Sequence, residues 1–280
     1  MEDTRRPPSY DAFAHEYEHA AMPVYRPFAK RLLQLIELRP GWCVLDAGTG
    51  TGLVALLAAP RVGKAGKVLG VDASEEMLKL ARAKAAQFGF SQCEFRAGDL
   101  NALDLPNAQF NAAFAHLVLH HTHLTRALQE LHRVLMPGGL LGIVEWGQEP
   151  QTPHAVLFEV LQAYRVTEPD AALAQVRANA TAARQFRLMQ AHPETMAATV
   201  RSAGYTRVAT AEERHTAHVA NREAFCALAL ASPALRAELA ALPVATQEVY
   251  WRQAHAALAA FQTADGLTWA YRIVTVVAQK

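Results

Sequence analysis

With 280 residues, 51% of them hydrophobic and 19% charged, the chain can bury a sizeable core and is no disordered polymer. Its 27 basic and 26 acidic residues leave a formal charge of +1, which gives no field for recruiting nucleic acid or an anionic membrane. Cys43, Cys93 and Cys226 are odd in number and far apart, which excludes a disulfide framework and a cysteine zinc site.

Met1 to Pro8 is charged and proline-containing, with no apolar stretch behind it, unlike a signal peptide. No stretch approaches the roughly 18 apolar residues that span a bilayer, so the expectation is a soluble cytoplasmic protein. Tyr10 to Leu38 reads as one or two helices broken near Pro23 and Pro27, with Phe28, Leu32, Leu35 and Ile36 at helical spacing. Arg39-Pro40-Gly41 ends that run. A regular alternation follows: a strand at Val44-Leu45, a helix over about Leu53 to Ala59, a strand from Lys67 to Val71, and a helix capped by Ser74 and running to about Phe88. Strands are predicted at Cys93 to Ala97, Ala112 to Val118 and Leu140 to Glu145. A helix from about Leu124 to Leu135, closed by Met136-Pro137-Gly138-Gly139, precedes the last of them.

Such alternation builds βαβ units and a parallel sheet covered on both faces, with ligands bound beyond the carboxyl ends of the strands at the topological switch point. After Trp146 the pattern changes. Residues 147–204 read as a mostly helical insert, and strands follow at about Arg207 to Val219 and Leu267 to Ala278, enclosing a helical insert over 221–263. The organisation is therefore an N-terminal helical cover (1–39), an α/β core (40–146), a helical lid (147–204) and a final segment (205–280). Phe158, Tyr164, Phe186 and Met189 are candidates to line a pocket under the lid, with Trp146 at its floor. Phe225, Tyr250, Trp251 and Phe261 give the second insert the means to complete the pocket or to form a homodimer contact.

The turn after the first strand reads Asp46-Ala47-Gly48-Thr49-Gly50-Thr51-Gly52. Glycines there let backbone amides approach a ligand where a Cβ would clash. The spacing is Gly-x-Gly-x-Gly, unlike the dinucleotide fingerprint, and Asp46 would repel a pyrophosphate. A carboxylate at that position suits the ammonium of a methionine moiety, directly or through water. Asp72 ends the second strand 20 residues after Gly52, the separation at which a carboxylate accepts from both ribose hydroxyls. Asp99, after Gly98 at the end of the third strand, can accept from an adenine amine while the next amide, of Leu100, donates to the ring. Asp after Gly is also ordinary turn chemistry, and its place third in a series of acidic strand ends favours the ligand role.

Val44 to Gly52, Val68 to Ser74 with Met77-Leu78, Gly98-Asp99 and Arg133 to Gly139 resemble class I S-adenosylmethionine-dependent methyltransferases. The small-molecule branch that includes the quinone-biosynthesis C-methyltransferases is the nearest in look, and the resemblance covers about residues 40 to 146. It implies a Rossmann-like, doubly wound, seven-stranded, mostly parallel sheet with an antiparallel last strand. It also implies S-adenosylmethionine as cofactor, S-adenosylhomocysteine as product, and methionine, ribose and adenine roles for Asp46, Asp72 and Asp99. The expected cofactor set is Asp46, Gly48, Thr49, Gly50, Asp72, Ala73, Met77, Gly98, Asp99, Leu100 and His116.

His116, His120, His121 and His123 crowd one strand end. A metal site there lacks a carboxylate or cysteine at ligand spacing, so no metal is expected. Relatives often carry histidine here, which puts His116 beside the cofactor and His120 or His121 near the mouth of the site. Methyl transfer is an in-line displacement, so an enzyme mainly aligns the nucleophile and excludes water. His120, His121 and Glu145 are the candidate bases, and the acceptor atom (oxygen, nitrogen or carbon) stays open. An apolar or aromatic small molecule suits the neutral balance. The absence of an Asn-Pro-Pro-Tyr type motif after the fourth strand argues against base-amine methylation, and the scattered cysteines argue against arsenite methylation. A nicotinamide-dependent oxidoreductase, or a protein that binds the cofactor without transferring its methyl, are the alternatives.

Overall fold

The computed structural model describes residues 10–149, 151–190 and 192–280, so the charged Met1 to Pro8 segment and Pro150 lie outside the described residues. The strands are β1 (Cys43–Ala47), β2 (Lys67–Asp72), β3 (Cys93–Ala97), β4 (Phe110–His116), β5 (Leu135–Trp146), β6 (Thr206–Val219), the two-residue β7 (Gln262–Thr263) and β8 (Gly266–Gln279). Seven of them lie in the order β3-β2-β1-β4-β5-β8-β6, and β7 pairs only with β8. The pairs β1–β2, β2–β3, β1–β4 and β4–β5 are parallel, whereas β8 runs antiparallel to both β5 and β6. This is the expected doubly wound sheet with a reversed last strand. The chain crosses from β3 back past β1 to β4, so the switch point lies between β1 and β4.

The central strands are buried on both faces, as parallel strands between helices must be. Val44, Ala112, Phe114 and Val144 face a core built with α1 (Ala14–Leu35), α2 (Leu53–Val62) and α3 (Glu75–Gln87). Leu45, Ala113, Leu141 and Ile143 face the other core, built with α4 (Leu124–Val134) and with α7 (Pro193–Ser202) after the lid helices α5 (Pro153–Leu161) and α6 (Ala171–Gln190). The 221–263 insert resolves into α8 (Arg222–Ala229), α9 (Pro233–Ala240), α10 (Val244–Ala257) and a short 3-10 turn. Its Phe225 and Tyr250 are fully buried within the chain, each contributing about 2–3 kcal/mol of apolar burial.

Three boundaries differ from the sequence expectation. Residues 14–35 form one helix through Pro23 and Pro27. The prolines are four apart and both exposed, so the carbonyls they leave unpaired face water, while Ala21, Phe28, Ala29 and Leu32 hold the opposite face in the core. β4 stops at His116 because Leu117 takes a left-handed φ of 54° and turns the chain. β5 begins at Leu135, and Gly138 and Gly139, expected only to close the helix, pair with the carboxyl-terminal Lys280.

Candidate active site

After β1 the chain turns through Gly48 (φ 73°), Gly50 (φ 52°) and Gly52 (φ 88°) into α2. A Cβ on Gly48 would lie 2.3 Å from Val118 Cγ2, so glycine is what lets the ends of β1 and β4 close up. A Cβ on Gly50 would meet no heavy atom within 4 Å, because this glycine faces a cavity of about 230 Å3 at the strand ends. The Gly50 amide donates to Asp72 Oδ2 at 2.8 Å, and the Ser74 amide donates to Oδ1 at 2.9 Å. Asp72 is thus clamped on the cavity wall with a lone pair of each oxygen still available. Burial raises its pKa, and the amides of Ser74, Gly50 and Ala73 oppose that rise.

Ser74 caps α3 by accepting from the Met77 amide, and its hydroxyl donates to Asp11 Oδ1 at 2.5 Å. That bond docks the 3-10 turn Asp11–Phe13 on the start of α3 and brings Tyr10 and Tyr17 to the wall. At the end of β3, Asp99 Oδ1 accepts from the Asn101 backbone and side-chain amides. Asn101 Oδ1 in turn accepts from the His123 amide, which ties the β3 end to the start of α4.

Asp46 stands off the wall. It is buried, and its Oδ2 accepts from Thr49 Oγ1 at 2.7 Å and from the Ala55 amide at 2.9 Å. Oδ1 has no partner among the described residues. Burial pushes the Asp46 pKa up to about 6 against those two hydrogen bonds. Thr49 likewise serves Asp46 and does not line the cavity.

On the β4 side, His116, Leu117, Val118, His121 and Thr122 line the cavity. Burial drives His116 down to about 4, so it is neutral, and its Nε2 is buried without a partner among the described residues. The 3-10 turn Leu119–His121 carries two rings whose centroids are 4.0 Å apart. His120 Nδ1–H donates to Glu145 Oε2 at 2.8 Å, and the Leu119 amide donates to Glu145 Oε1 at 2.7 Å. Glu145 is fully buried, and both it and His120 lie behind the wall. His121 pairs through Nε2 with the Tyr10 hydroxyl at 3.2 Å, and burial, with His120 and Arg187 nearby, holds it well below the usual histidine range. His123 serves instead as the N-cap of α4.

The geometry therefore gathers Gly48, Gly50, Asp72, Ala73, Met77, Gly98, Asp99, Leu100, His116 and His121 on one wall. Asp46, Thr49, His120 and Glu145 stand one layer back. Tyr10, Asp11, Tyr17, Ser74, Asn101, Leu117, Val118 and Thr122 also line the cavity and were not read from the sequence. Leu117 follows β4 directly and Asn101 stands four residues past the end of β3, so both were accessible to the strand-end rule. Tyr10 and Tyr17 carried no local signal. Of the expected lid residues, Phe186 stands beside the site, its ring 6.4 Å from His120. Met189 is 64% exposed, Phe158 and Tyr164 pack against the core, and Trp146 sits against Tyr25 and Phe28. Among the described residues no three His, Cys, Asp or Glu side chains converge to hold a metal, and no helix is long and apolar enough to cross a membrane.

Comparison with known proteins gives consistent matches. Residues 44–139 match the family described as a methyltransferase domain. The nocamycin O-methyltransferase of Saccharothrix syringae is 32% identical over 204 residues, 71% of each chain. The ubiquinone/menaquinone biosynthesis C-methyltransferase of Hydrogenovibrio crunogenus is 32% identical over 130 residues, 46% of this chain and 51% of that one. Against that quinone relative the match spans about half the relative's length. A solved SAM-dependent methyltransferase from Aquifex aeolicus superposes with a TM-score of 0.54 over 95% of this chain and 97% of that one, at 18% identity.

Proposed function

Because this chain belongs to the S-adenosylmethionine-dependent methyltransferases, we propose that the strand-end cavity seats the cofactor and that the acceptor is a small aromatic molecule methylated on oxygen. The enzyme methylates a small molecule, and these matches lend no support to a nicotinamide oxidoreductase. The residues fit the cofactor: Gly50 leaves its Cβ space open, and Asp46 Oδ1 and Thr51 Oγ1 beside the turn and His116 Nε2 at the end of β4 are buried polar atoms without partners among the described residues. When bound, the cofactor supplies an electrophilic sulfonium methyl that passes in line to the acceptor oxygen, the electrons of the broken C–S bond staying on sulfur.

Asp72, clamped by two amides, is preorganised to accept from the ribose hydroxyls. Asp99 and the Leu100 amide serve the adenine edge, and Asp46 attracts the methionine ammonium through its unengaged oxygen. Gly48, Ala73, Met77 and Gly98 shape the walls, and Thr49 orients Asp46. Tyr10 and Tyr17 give the acceptor an aromatic wall, and the O-methyltransferase relative that covers most of the chain supports an oxygen nucleophile. Glu145 fixes His120 as the Nδ1–H tautomer, so His120 Nε2 keeps a lone pair, one layer behind the wall, that accepts a proton relayed from the hydroxyl. His121, kept neutral, holds Tyr10 in place. Three free, half-buried cysteines suit a reducing cytoplasm.

The observation that carries this reading is the doubly clamped Asp72 on the wall beside Gly50. Calorimetric titration tests it. The protein should bind S-adenosylhomocysteine and not NADH, and Asp72→Ala should weaken that binding by about 100-fold with folding intact. Unchanged affinity in Asp72→Ala removes Asp72 from the site, and uptake of NADH alone overturns the assignment. Mass spectrometry for one added methyl across a panel of phenols, enols, amines and quinols then identifies the acceptor.

A further inference from the structure

Arg187 stands near the end of α6, which packs against the Leu119–His121 turn. Its neighbours along the helix are fixed: the Phe186 ring lies 6.4 Å from His120, and the Leu188 carbonyl accepts from Gln148 Nε2 at 3.3 Å. Arg187 is half-buried. The other half-buried arginines are all satisfied. Arg165 and Arg177 share Glu238, Arg133 holds Glu130, and Arg272 holds Glu212. Arg61, Arg222 and Arg236 bond to Leu57, Gln262 and Leu230 respectively. Arg187 alone among them has no hydrogen bond or ion pair to its guanidinium among the described residues.

A guanidinium stays charged in a protein and presents a planar fork of five donors. Withdrawing one from water without an acceptor is unfavourable unless something else supplies the acceptor. The groups in its field do not. Glu145 on β5 is the one carboxylate among them, and its oxygens already accept from Leu119 and His120. Tyr10 is kept protonated by burial, His121 is neutral, and Arg184 on the same helix is a like charge. Desolvation weakens the Arg187 cation further, as burial without a partner does. Two of these neighbours, Tyr10 and His121, line the cavity.

We propose that Arg187 is the counter-charge for the methyl acceptor, so that the enzyme selects planar enols and phenols acidic enough to bind as oxyanions. This rests on the methyltransferase reading and names its substrate class. The charge logic is complete: the hydroxyl proton goes to His120 or to water, and the oxyanion, paired with the guanidinium, is the nucleophile. Transfer of a methyl cation equivalent from a sulfonium to an oxyanion yields a neutral methyl ether and a neutral thioether, so the attraction that held the acceptor is absent from the product. The expected bidentate pairing distinguishes Arg187 from a diffuse positive field.

The test uses protein saturated with S-adenosylhomocysteine and two matched pairs of planar probes. These are 2-hydroxy-1,4-naphthoquinone with 1,4-naphthoquinone, and 4-hydroxycoumarin with coumarin. Binding is read by calorimetry at pH 7.5. The hydroxylated, ionised member of at least one pair should bind about tenfold or more tighter than its neutral partner. Arg187→Gln should remove that preference and Arg187→Lys retain part of it, with S-adenosylhomocysteine affinity unchanged in both. Absence of any preference in the wild-type protein, including no binding by either ionised probe, overturns the proposal, as does a preference that survives in Arg187→Gln. Failure of the wild-type protein to bind S-adenosylhomocysteine overturns the methyltransferase reading itself and takes this proposal with it. Intact S-adenosylhomocysteine binding with no anion preference overturns this proposal alone.

Discussion

Gly48→Ala and Gly50→Ala add the same methyl group two residues apart in one turn, and the structure assigns them different consequences. Both glycines hold left-handed φ values, 73° and 52°, so each alanine costs about 1–2 kcal/mol of backbone strain. At Gly48 the new Cβ also collides with Val118, with contacts of 2.3, 2.6 and 2.9 Å to its three side-chain carbons. Val118 must move, adding about 1–3 kcal/mol, for a total of about 2–5 kcal/mol. In a chain of this size that lowers Tm by on the order of 10 °C. At Gly50 the methyl meets no protein atom within 4 Å, so the stability loss stops at the strain, a fall of a few degrees. It projects into the cavity instead, and an overpacked ligand site should lose about 10- to 100-fold in S-adenosylhomocysteine affinity. Thermal unfolding followed by circular dichroism and calorimetric titration on the same samples separate the two effects. If Gly50→Ala binds like the wild type, the cavity beside Gly50 is not the ligand seat. If Gly48→Ala is no less stable than Gly50→Ala, the contact with Val118 does not govern this turn.

Four other outcomes follow from the same geometry. The Asp46 carboxyl, raised by burial to about 6, is protonated in the free protein below that pH, and a cationic ammonium opposite it drives the proton off. Binding of S-adenosylhomocysteine near pH 6 should therefore release up to about half a proton, detected by calorimetry in buffers of different ionisation enthalpy, and Asp46→Asn should abolish the release. Because a raised carboxyl binds its proton more tightly in the folded state, this group destabilises the free protein increasingly as pH climbs from about 4 through 6. Asp46→Asn should thus gain relative stability at pH 7.5 compared with pH 4. Glu238 joins α9 to α6 through Arg177 and to the segment after α5 through Arg165. Burial pushes its pKa up, but the hydrogen bonds from Arg177 and Arg165 outweigh burial and hold it below the usual range. A depressed carboxyl stabilises the fold above the ordinary carboxylate range and loses that contribution as acid protonates it. Glu238→Gln should cost about 2–4 kcal/mol in denaturant unfolding at pH 7, and the difference from wild type should shrink below about pH 4. Finally, with an acceptor whose hydroxyl is still protonated at the assay pH, His120→Gln should lower kcat by about 100-fold or more while leaving S-adenosylhomocysteine affinity intact. The deficit should narrow at high pH, where the acceptor ionises unaided; a constant deficit across the profile argues against a proton-accepting role.

Much of this enzyme could be read residue by residue along the chain. The alternation of apolar strands and helices from Cys43 to Trp146 set the sheet, because each element is specified by its own periodicity and by caps such as Ser74. The glycine turn and Asp72 were legible for the same reason: a left-handed turn needs glycine, and a strand-end carboxylate follows at a fixed separation. Helix continuity through Pro23 and Pro27 was not legible, since it depends on those prolines facing water while Phe28 and Leu32 are gripped by the sheet. The layering of the site was not legible either. Asp46 and Glu145 occupy strand-end positions like Asp72, yet their oxygens turn inward to Ala55, Thr49, Leu119 and His120.

The fold class, the cofactor and the line of strand ends proposed to hold it could be read from the chain alone, because those depend on contacts within a βαβ unit. The walls proposed for the acceptor come instead from the packing of distant elements. Tyr10 meets His121 across 111 positions of chain, Asp11 meets Ser74 across 63, and the helix that carries Arg187 packs against the histidine turn. Such meetings are set by how helices pack over the sheet, and packing over long separations leaves no local pattern to read.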